Sequence, residues 1–449
     1  MLNKDLIKTS HYINKCIQRR KELLKKVQQM GGGIIIIPTS QKCYRNAHNE
    51  HQYRHNSNFY YLTGFIESDS CLILTTDRTG NSSSLFCKSR DPRKEMWDGE
   101  ILGPSRAKEI FNFETTYPIE EFEKIIPSLI KDHDSIYIEI PRYIKLDHEI
   151  FELLNKELAK NNNKIKHIHD ISNFINEMRS IKDNTEIQTM KMAAQISANA
   201  HLEILRSCKV GMYEYELEAQ LLYEFKKHGA HSPAYNNIVA SGKNSCILHY
   251  TSNNKIINNS DLVLIDAACE FNSYASDITR TFPANGKYSS TQLALYEIVL
   301  AAQKAAINSC KIKKNFNDPH KKAVEVLTQG LLDERILIGN KDEIIEKKIY
   351  TKFYPHSTSH WIGLDVHDVG SYHSGQNNGD NKQWKELQEG MLLTIEPGLY
   401  IKPSSDVPEH FWNIGIRIED TILIKEKNCE IITRNVPVAA DKIEEVMRG

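Results

Sequence analysis

SDLVLIDAACEFNSYASDITRTFPANGK, residues 260–287, sets Asp266 and Asp277 among strand formers and small residues in a tightly patterned stretch. Asp266 ends a run of strand formers, and Asp277 follows eleven residues later on what reads as the returning strand. A hairpin centred between Phe271 and Asn272 is expected, with the two aspartates directly opposed. Cβ atoms so placed are roughly 4.5–5.5 Å apart. Like charges at that distance repel, and a divalent cation between them removes the penalty. A solvated sheet face would carry further polar residues, yet the neighbours are Ala268, Ser273 and Ala275.

Three other stretches share this character. LLTIEPGLY presents Glu396 at a strand end before a Pro-Gly turn. IGIRIEDTILI alternates Ile414, Ile416 and Ile418 with Arg417 and Glu419. Taken alone, that Arg/Glu pair reads as an exposed strand face. HSTSHWIGLDVHDVG carries His356, His360 and His367; the first two are four apart but lack the Glu of H-E-x-x-H zinc proteases. Carboxylates in apolar runs are costly to bury without positive charge. Asp266, Asp277, His360, Glu396 and Glu419 together form a ligand set for two divalent ions, with four carboxylates balancing four positive charges. Oxygen-rich ligation with one imidazole favours Mn(II), with Co(II), Fe(II) or Zn(II) able to substitute. Such a pair can activate water near neutral pH and polarise a carbonyl, which is metal-assisted hydrolysis.

The rest of the chain is ordinary. Lys+Arg 57 against Asp+Glu 58 leaves a formal charge of -1, which attracts neither nucleic acid nor an anionic membrane. No apolar run reaches membrane-spanning length. The basic start has no apolar core and reads as a solvated helix opening the first domain, in preference to a transit segment. Nine cysteines without C-x-x-C suggest reduced thiols and a cytoplasmic setting, with Cys71, Cys246 and Cys269 filling core.

Two domains are expected: 1–175, an α/β domain, and 176–449, an α+β domain with a largely antiparallel sheet. In the first, strands are read at 31–40, 71–87 (two, around an Arg-Thr-Gly-Asn turn) and 135–140, with helical periodicity over 147–160. In the second, a long helix starts at Asp183, whose spacing to Glu186 is that of a capping box. Helices near 214–228 and 290–310 follow, with strands around 261–281 and 391–424.

These five residues in their contexts resemble the dinuclear site of the aminopeptidase P/prolidase/creatinase family, and the bacterial type of aminopeptidase P most of all. The likeness extends to ILHYTSNN (247–254), SHWIGLDVHDVG (359–370), MLLTIEPGLYI (391–401) and GIRIEDTILI (415–424). YRHNSNFYYLTGF (53–65) is similar to the signature of that family's non-catalytic first domain. The resemblance implies a pita-bread catalytic domain and removal of the first residue from peptides with proline second, by a metal-bridging hydroxide. It implies that Glu396 orients the attacking water and shuttles its proton. His249 and His367 would bind substrate and stabilise the tetrahedral intermediate, with His356 a further active-site histidine and Arg417 a brace for the carboxylates. It also implies a homodimer or homotetramer, with Trp97 either a wall residue of a neighbouring site or core packing. Prolidase, acting on Xaa-Pro dipeptides, and a non-catalytic peptide-binding relative are the alternatives. Two segments depart from the family pattern: the polar SGQNNGDNKQWKELQ, within 371–390, and FNDPHKKAVE, 316–325.

Overall fold

The computed structural model describes residues 6–77, 80–140, 165–374 and 383–449, with side chains from residue 11 onward. The helical periodicity read over 147–160, residues 78 and 79 of the first turn, and the middle of the polar segment, 375–382, lie outside the described residues. The chain divides into two compact units, Met1–Met178 and Arg179–Gly449.

The first unit is built on a mixed sheet of β1 (Gly33–Pro38), β2 (Cys71–Thr76), β3 (Asn81–Cys87), β4 (Thr115–Pro118), β5 (Ser135–Ile138) and β6 (His167–Asp170), in the order β4-β3-β2-β1-β5-β6. β1 pairs antiparallel with β2 and parallel with β5, and only the second pairing is the crossover type that α/β alternation supplies. The opening helix, Leu6–Gln29, is not solvated as its charge suggested. It buries Ile13, Cys16, Leu23 and Val27, and Arg19 and Arg20 with them. Arg20 donates to the Leu62 carbonyl at 2.9 Å, and the Arg19 guanidinium lies 3.9 Å from the Tyr61 ring centroid. The arginines thus satisfy the end of the short helix Ser57–Thr63, which Asn56 caps and left-handed Gly64 terminates. Trp97 is 86% exposed, which rules out core packing for it within the described chain.

The second unit opens with the helix Asn184–Ser207, whose Asp183/Glu186 capping box forms as the spacing predicts. Helices Glu214–Lys227, Ser290–Ser309 and Asp318–Asp333 pack with it around the strands. The last of these begins within the atypical FNDPHKKAVE stretch, and Pro319 falls in its first turn, where a missing N–H costs nothing. β9 (Leu262–Asp266) lies between β8 (Ile238–Ser241) and β12 (Thr279–Pro283), antiparallel to both. β15 (Leu392–Ile395) pairs with β18 (Asp420–Ile424), and β16 (Gly398–Ile401) with β17 (Ile414–Arg417). A single bridge, Thr279–Glu419, ties β12 to the segment between β17 and β18, and another, Trp361–Leu393, holds the Trp361 segment against β15.

The hairpin register differs from expectation. Phe271 pairs with Tyr274, so the turn is centred between Asn272 and Ser273, one residue later than predicted. Both turn residues are left-handed, φ 47° and 69°, the conformation whose twist matches the flanking strands. Asp266 therefore faces Thr279 instead of Asp277. The shift changes the pairing by two residues, so Asp277 remains on the same face as Asp266 but diagonal to it.

Candidate metal centre and active site

Strand ends deliver the acidic groups. Asp266 closes β9, Asp277 precedes β12, Glu396 follows β15, and Glu419 lies between β17 and β18. His360 enters from an extended segment held against β15, its backbone N–H donating to Thr394 Oγ1 at 3.1 Å. Apolar alternation forces these polar side chains onto one face, away from core residues Ile265, Ile278, Ile395 and Ile418.

Asp277, His360 and Glu419 are all buried, and each offers one ligand atom within 4.8 Å of the others. His360 Nε2 is 3.3 Å from Asp277 Oδ2 and 3.5 Å from Glu396 Oε1. The other imidazole nitrogen, Nδ1, is 2.9 Å from the Trp361 carbonyl, which leaves Nε2 directed into the carboxylates. Tyr235 joins the two aspartates, donating to Asp266 Oδ1 at 2.6 Å and standing 2.5 Å from Asp277 Oδ1. Thr279 donates to Glu419 Oε2 at 2.6 Å. Behind the site, Asp420 is satisfied separately by Arg280, Gln303 and Thr433, so it is a structural neighbour of Glu419 and no part of the cluster.

The electrostatics fit a cation-binding site. Burial, followed by repulsion from the other carboxylates, holds Glu419 well above the usual carboxylate range. Burial likewise raises Asp277, with Asp266 adding to it against the hydrogen bond from His360. Glu396 is pushed up to about 7, by burial first; His360 and Arg417 oppose the shift, and Asp277 and Asp266 add to it. Burial disfavours charge on His360, but Asp277 and Glu396 raise it to about 9. Arg417 is the guanidinium in this array, reaching Asp266 Oδ2 at 2.7 Å and Tyr400 Oη at 2.9 Å. Four convergent carboxylates against one guanidinium form a donor set that two divalent ions would neutralise.

The remaining histidines line the same cleft without joining the cluster. His356 Nε2 is 2.9 Å from Tyr400 Oη and its Nδ1 is 3.7 Å from Glu396. Burial and the nearby Arg417 lower it to about 4. The His367 ring centroid is 4.2 Å from that of His360. Burial, His360 and His249 together lower His367 to about 4, which places His249 within electrostatic reach of it. His249 is exposed and follows the short helical turn Gly242–Cys246. That loop is anchored by the buried Glu214 carboxylate, which accepts from Ser241, Asn244, Tyr250 and Lys255. Arg417 and Glu419, read alone as an exposed pair, are 4% and 2% exposed.

Sequence reasoning missed Tyr235, Tyr400 and Thr279. Tyr400 carried a signal, since it alternates with Glu396 along EPGLY and so shares its face. Tyr235, in HSPAYNN, carried none.

Residues 188–426 match metallopeptidase family M24, and residues 16–137 match the aminopeptidase P N-terminal domain. The Xaa-Pro aminopeptidase of Haemophilus influenzae is 40% identical over 430 residues, spanning 96% of each chain. The solved structure of Pseudomonas aeruginosa aminopeptidase PepP superposes with a TM-score of 0.92 at 38% identity, over 97% of this chain and 98% of that one. Aminopeptidase P from E. coli with the inhibitor Pro-Leu gives 0.91 at 38% identity, over 97% and 98%. An α/β first domain followed by an α+β pita-bread domain is thus the architecture of this protein. With its paired domains and convergent carboxylates, the chain belongs to metallopeptidase family M24 in its aminopeptidase P branch.

Proposed function

We propose that the chain removes the N-terminal residue from peptides with proline in second position, using two divalent ions, Mn(II) preferred. The observation carrying this reading is the buried convergence of Asp277, His360 and Glu419, with Asp266 and Glu396 beside them. Those five residues would hold the ions. When bound, the ions supply Lewis-acid polarisation of the scissile carbonyl and lower the pKa of a water from 15.7 to about 7.

The chain's own groups do the rest. Glu396 takes the proton of the attacking water and passes it to the departing proline nitrogen. That nitrogen has no N–H in the substrate, so recognition must come from shape and from donors to the carbonyl oxygen. His249 and His367 are the donors assigned to that oxygen and to the substrate. His356, hydrogen-bonded to Tyr400, braces the far side of Glu396, and Arg417 fixes Asp266. The free amine of the substrate meets the acidic cluster, which limits cleavage to the end residue.

The reading extends to a cytoplasmic homodimer or homotetramer, supported by nine cysteines outside any disulfide and by the exposed Trp97 available to wall a neighbouring site. Among the described residues no helix is long and apolar enough to cross a membrane. The test is elemental analysis of the purified protein, then hydrolysis of Arg-Pro-Pro and of Gly-Pro with Mn(II). Release of Arg from the tripeptide is expected. Cleavage of Gly-Pro only would make the protein a prolidase, and inertness toward both would make it a binding relative.

A further inference from the structure

His367 stands on residues 363–370, a run of bends outside any strand ladder. Its neighbour Asp368 turns the other way and is buried. Arg179 Nη2 meets Asp368 Oδ1 at 2.5 Å and Asp365 Oδ2 at 2.8 Å, while Lys182 Nζ meets Asp368 Oδ2 at 3.0 Å. Arg179, Lys182 and Asp368 side chains are 1–2% exposed, so these three charges are almost dry, while Asp365, 41% exposed, brings the network to zero net charge from the solvent side. A carboxylate met in a dry site by a guanidinium on one oxygen and an ammonium on the other is fixed in direction as well as position.

The backbone is shaped around this network. A Cβ on Gly363 would collide with the Asp368 carboxylate, and one on left-handed Gly370 would press on Ser180 Oγ. The Asp368 N–H donates to Trp361 at 2.8 Å, and the Gly363 carbonyl accepts from Ala275 N, two residues before Asp277. The loop is therefore fastened on one side to residues 179–182 and on the other to the strand leading to the metal cluster.

We infer that Arg179, Lys182 and Asp368 are positioning residues that hold the His367 imidazole at its working place over the cluster. The inference rests on the role proposed for His367 in binding the substrate carbonyl. A buried ion pair is not needed to hold the fold, since apolar groups of similar volume commonly do as well. What apolar packing does not supply is the directional grip on the residue next to His367.

The test is a double-mutant cycle on the Mn(II)-loaded protein with Arg-Pro-Pro. Asp368→Asn is expected to lower kcat about 10²-fold, the size of loss that a displacement of about 1 Å produces. In a His367→Ala background the same change should cost nothing further. Equal losses in both backgrounds would overturn the inference. Arg179→Lys, which keeps the charge and loses the planar Nη2 donor that joins Asp365 to Asp368, replaces Asp368→Asn should that variant not fold. Lys182→Arg should retain the activity that Lys182→Met loses. Independently of turnover, the His367 imidazole resonance, identified by its loss in His367→Ala, should move in Asp368→Asn metal-free protein while the His201 resonance does not. An unmoved His367 signal would refute the clamp. A wild-type protein inert toward Xaa-Pro peptides but showing that movement would refute the proposed function and leave the clamp standing.

Discussion

Arg417 Nη2 lies 2.7 Å from Asp266 Oδ2, pairing the last residue of β17 with the last residue of β9 across 151 positions of sequence. Arg417 is buried and the Asp266 side chain is 15% exposed, and the same guanidinium donates to Tyr400. Arg417→Leu leaves Asp266 among carboxylates with no permanent cation. The expected cost is about 3–5 kcal/mol of stability in chelator-treated protein, read from urea unfolding. Added Mn(II) should restore part of it, because an ion can answer the carboxylate that Arg417 no longer meets.

Chelation exposes the repulsion inside the cluster. Glu396 is raised from 4.5 to about 7, so between those values the folded state holds a proton the unfolded state has released. Stability from this group is therefore present at the lower pH and is lost as pH climbs through that window. Asp277 and Glu419, both raised, act in the same direction. In EDTA the melting temperature should fall with rising pH across this range, and Glu419→Gln should flatten the fall. The same variant should melt higher than wild type in EDTA at pH 8, yet gain less from Mn(II). A lower melting temperature for Glu419→Gln in EDTA would contradict the repulsion argument.

Tyr235 bridges Asp266 and Asp277 with one hydroxyl. Burial, then the charges of Asp266 and Asp277, keeps that phenol far above its ordinary pKa, hence neutral and able to donate. Tyr235→Phe removes the donor and leaves the ring. Groups that orient ligands from behind typically contribute 10–100-fold in metal affinity. Calorimetric titration with Mn(II) should show a loss of that size with an unchanged far-ultraviolet spectrum.

Gly415 has no room for a side chain, because a Cβ there would run into the backbone carbonyl of Ser245. Its N–H donates to Ser245 Oγ at 2.9 Å. Gly415→Ala must push the 242–246 turn, and with it His249. About 1–3 kcal/mol of destabilisation is expected from the overpacking. The kinetic signature should be a raised KM for Arg-Pro-Pro at least as large as the change in kcat.

Much of this was legible because carboxylates in apolar strands are anomalous, and four such anomalies, with His360, share one half of the chain. Helix limits were legible where caps are chemical, as with Asp183 and Glu186. The hairpin register was misread because the pattern of apolar residues does not reveal that Asn272 and Ser273 both turn left-handed. Arg19 and Arg20 read as solvated because sequence does not show that the carbonyls of Tyr61 and Leu62 await them. Tyr235 was invisible because its only distinction is position: thirty-one residues before Asp266, at the end of a different strand connection.

The left-handed turn at Asn272–Ser273 also limits how this hairpin can change length. Side chains on paired strands alternate with a period of two, so lengthening or shortening the Asp266–Asp277 interval by two residues can keep both aspartates facing inward. A change of one residue turns Asp277 into the apolar layer that Ile278 occupies in this structure and takes it out of reach of His360. Insertions at this corner are therefore filtered by parity before any question of loop length arises.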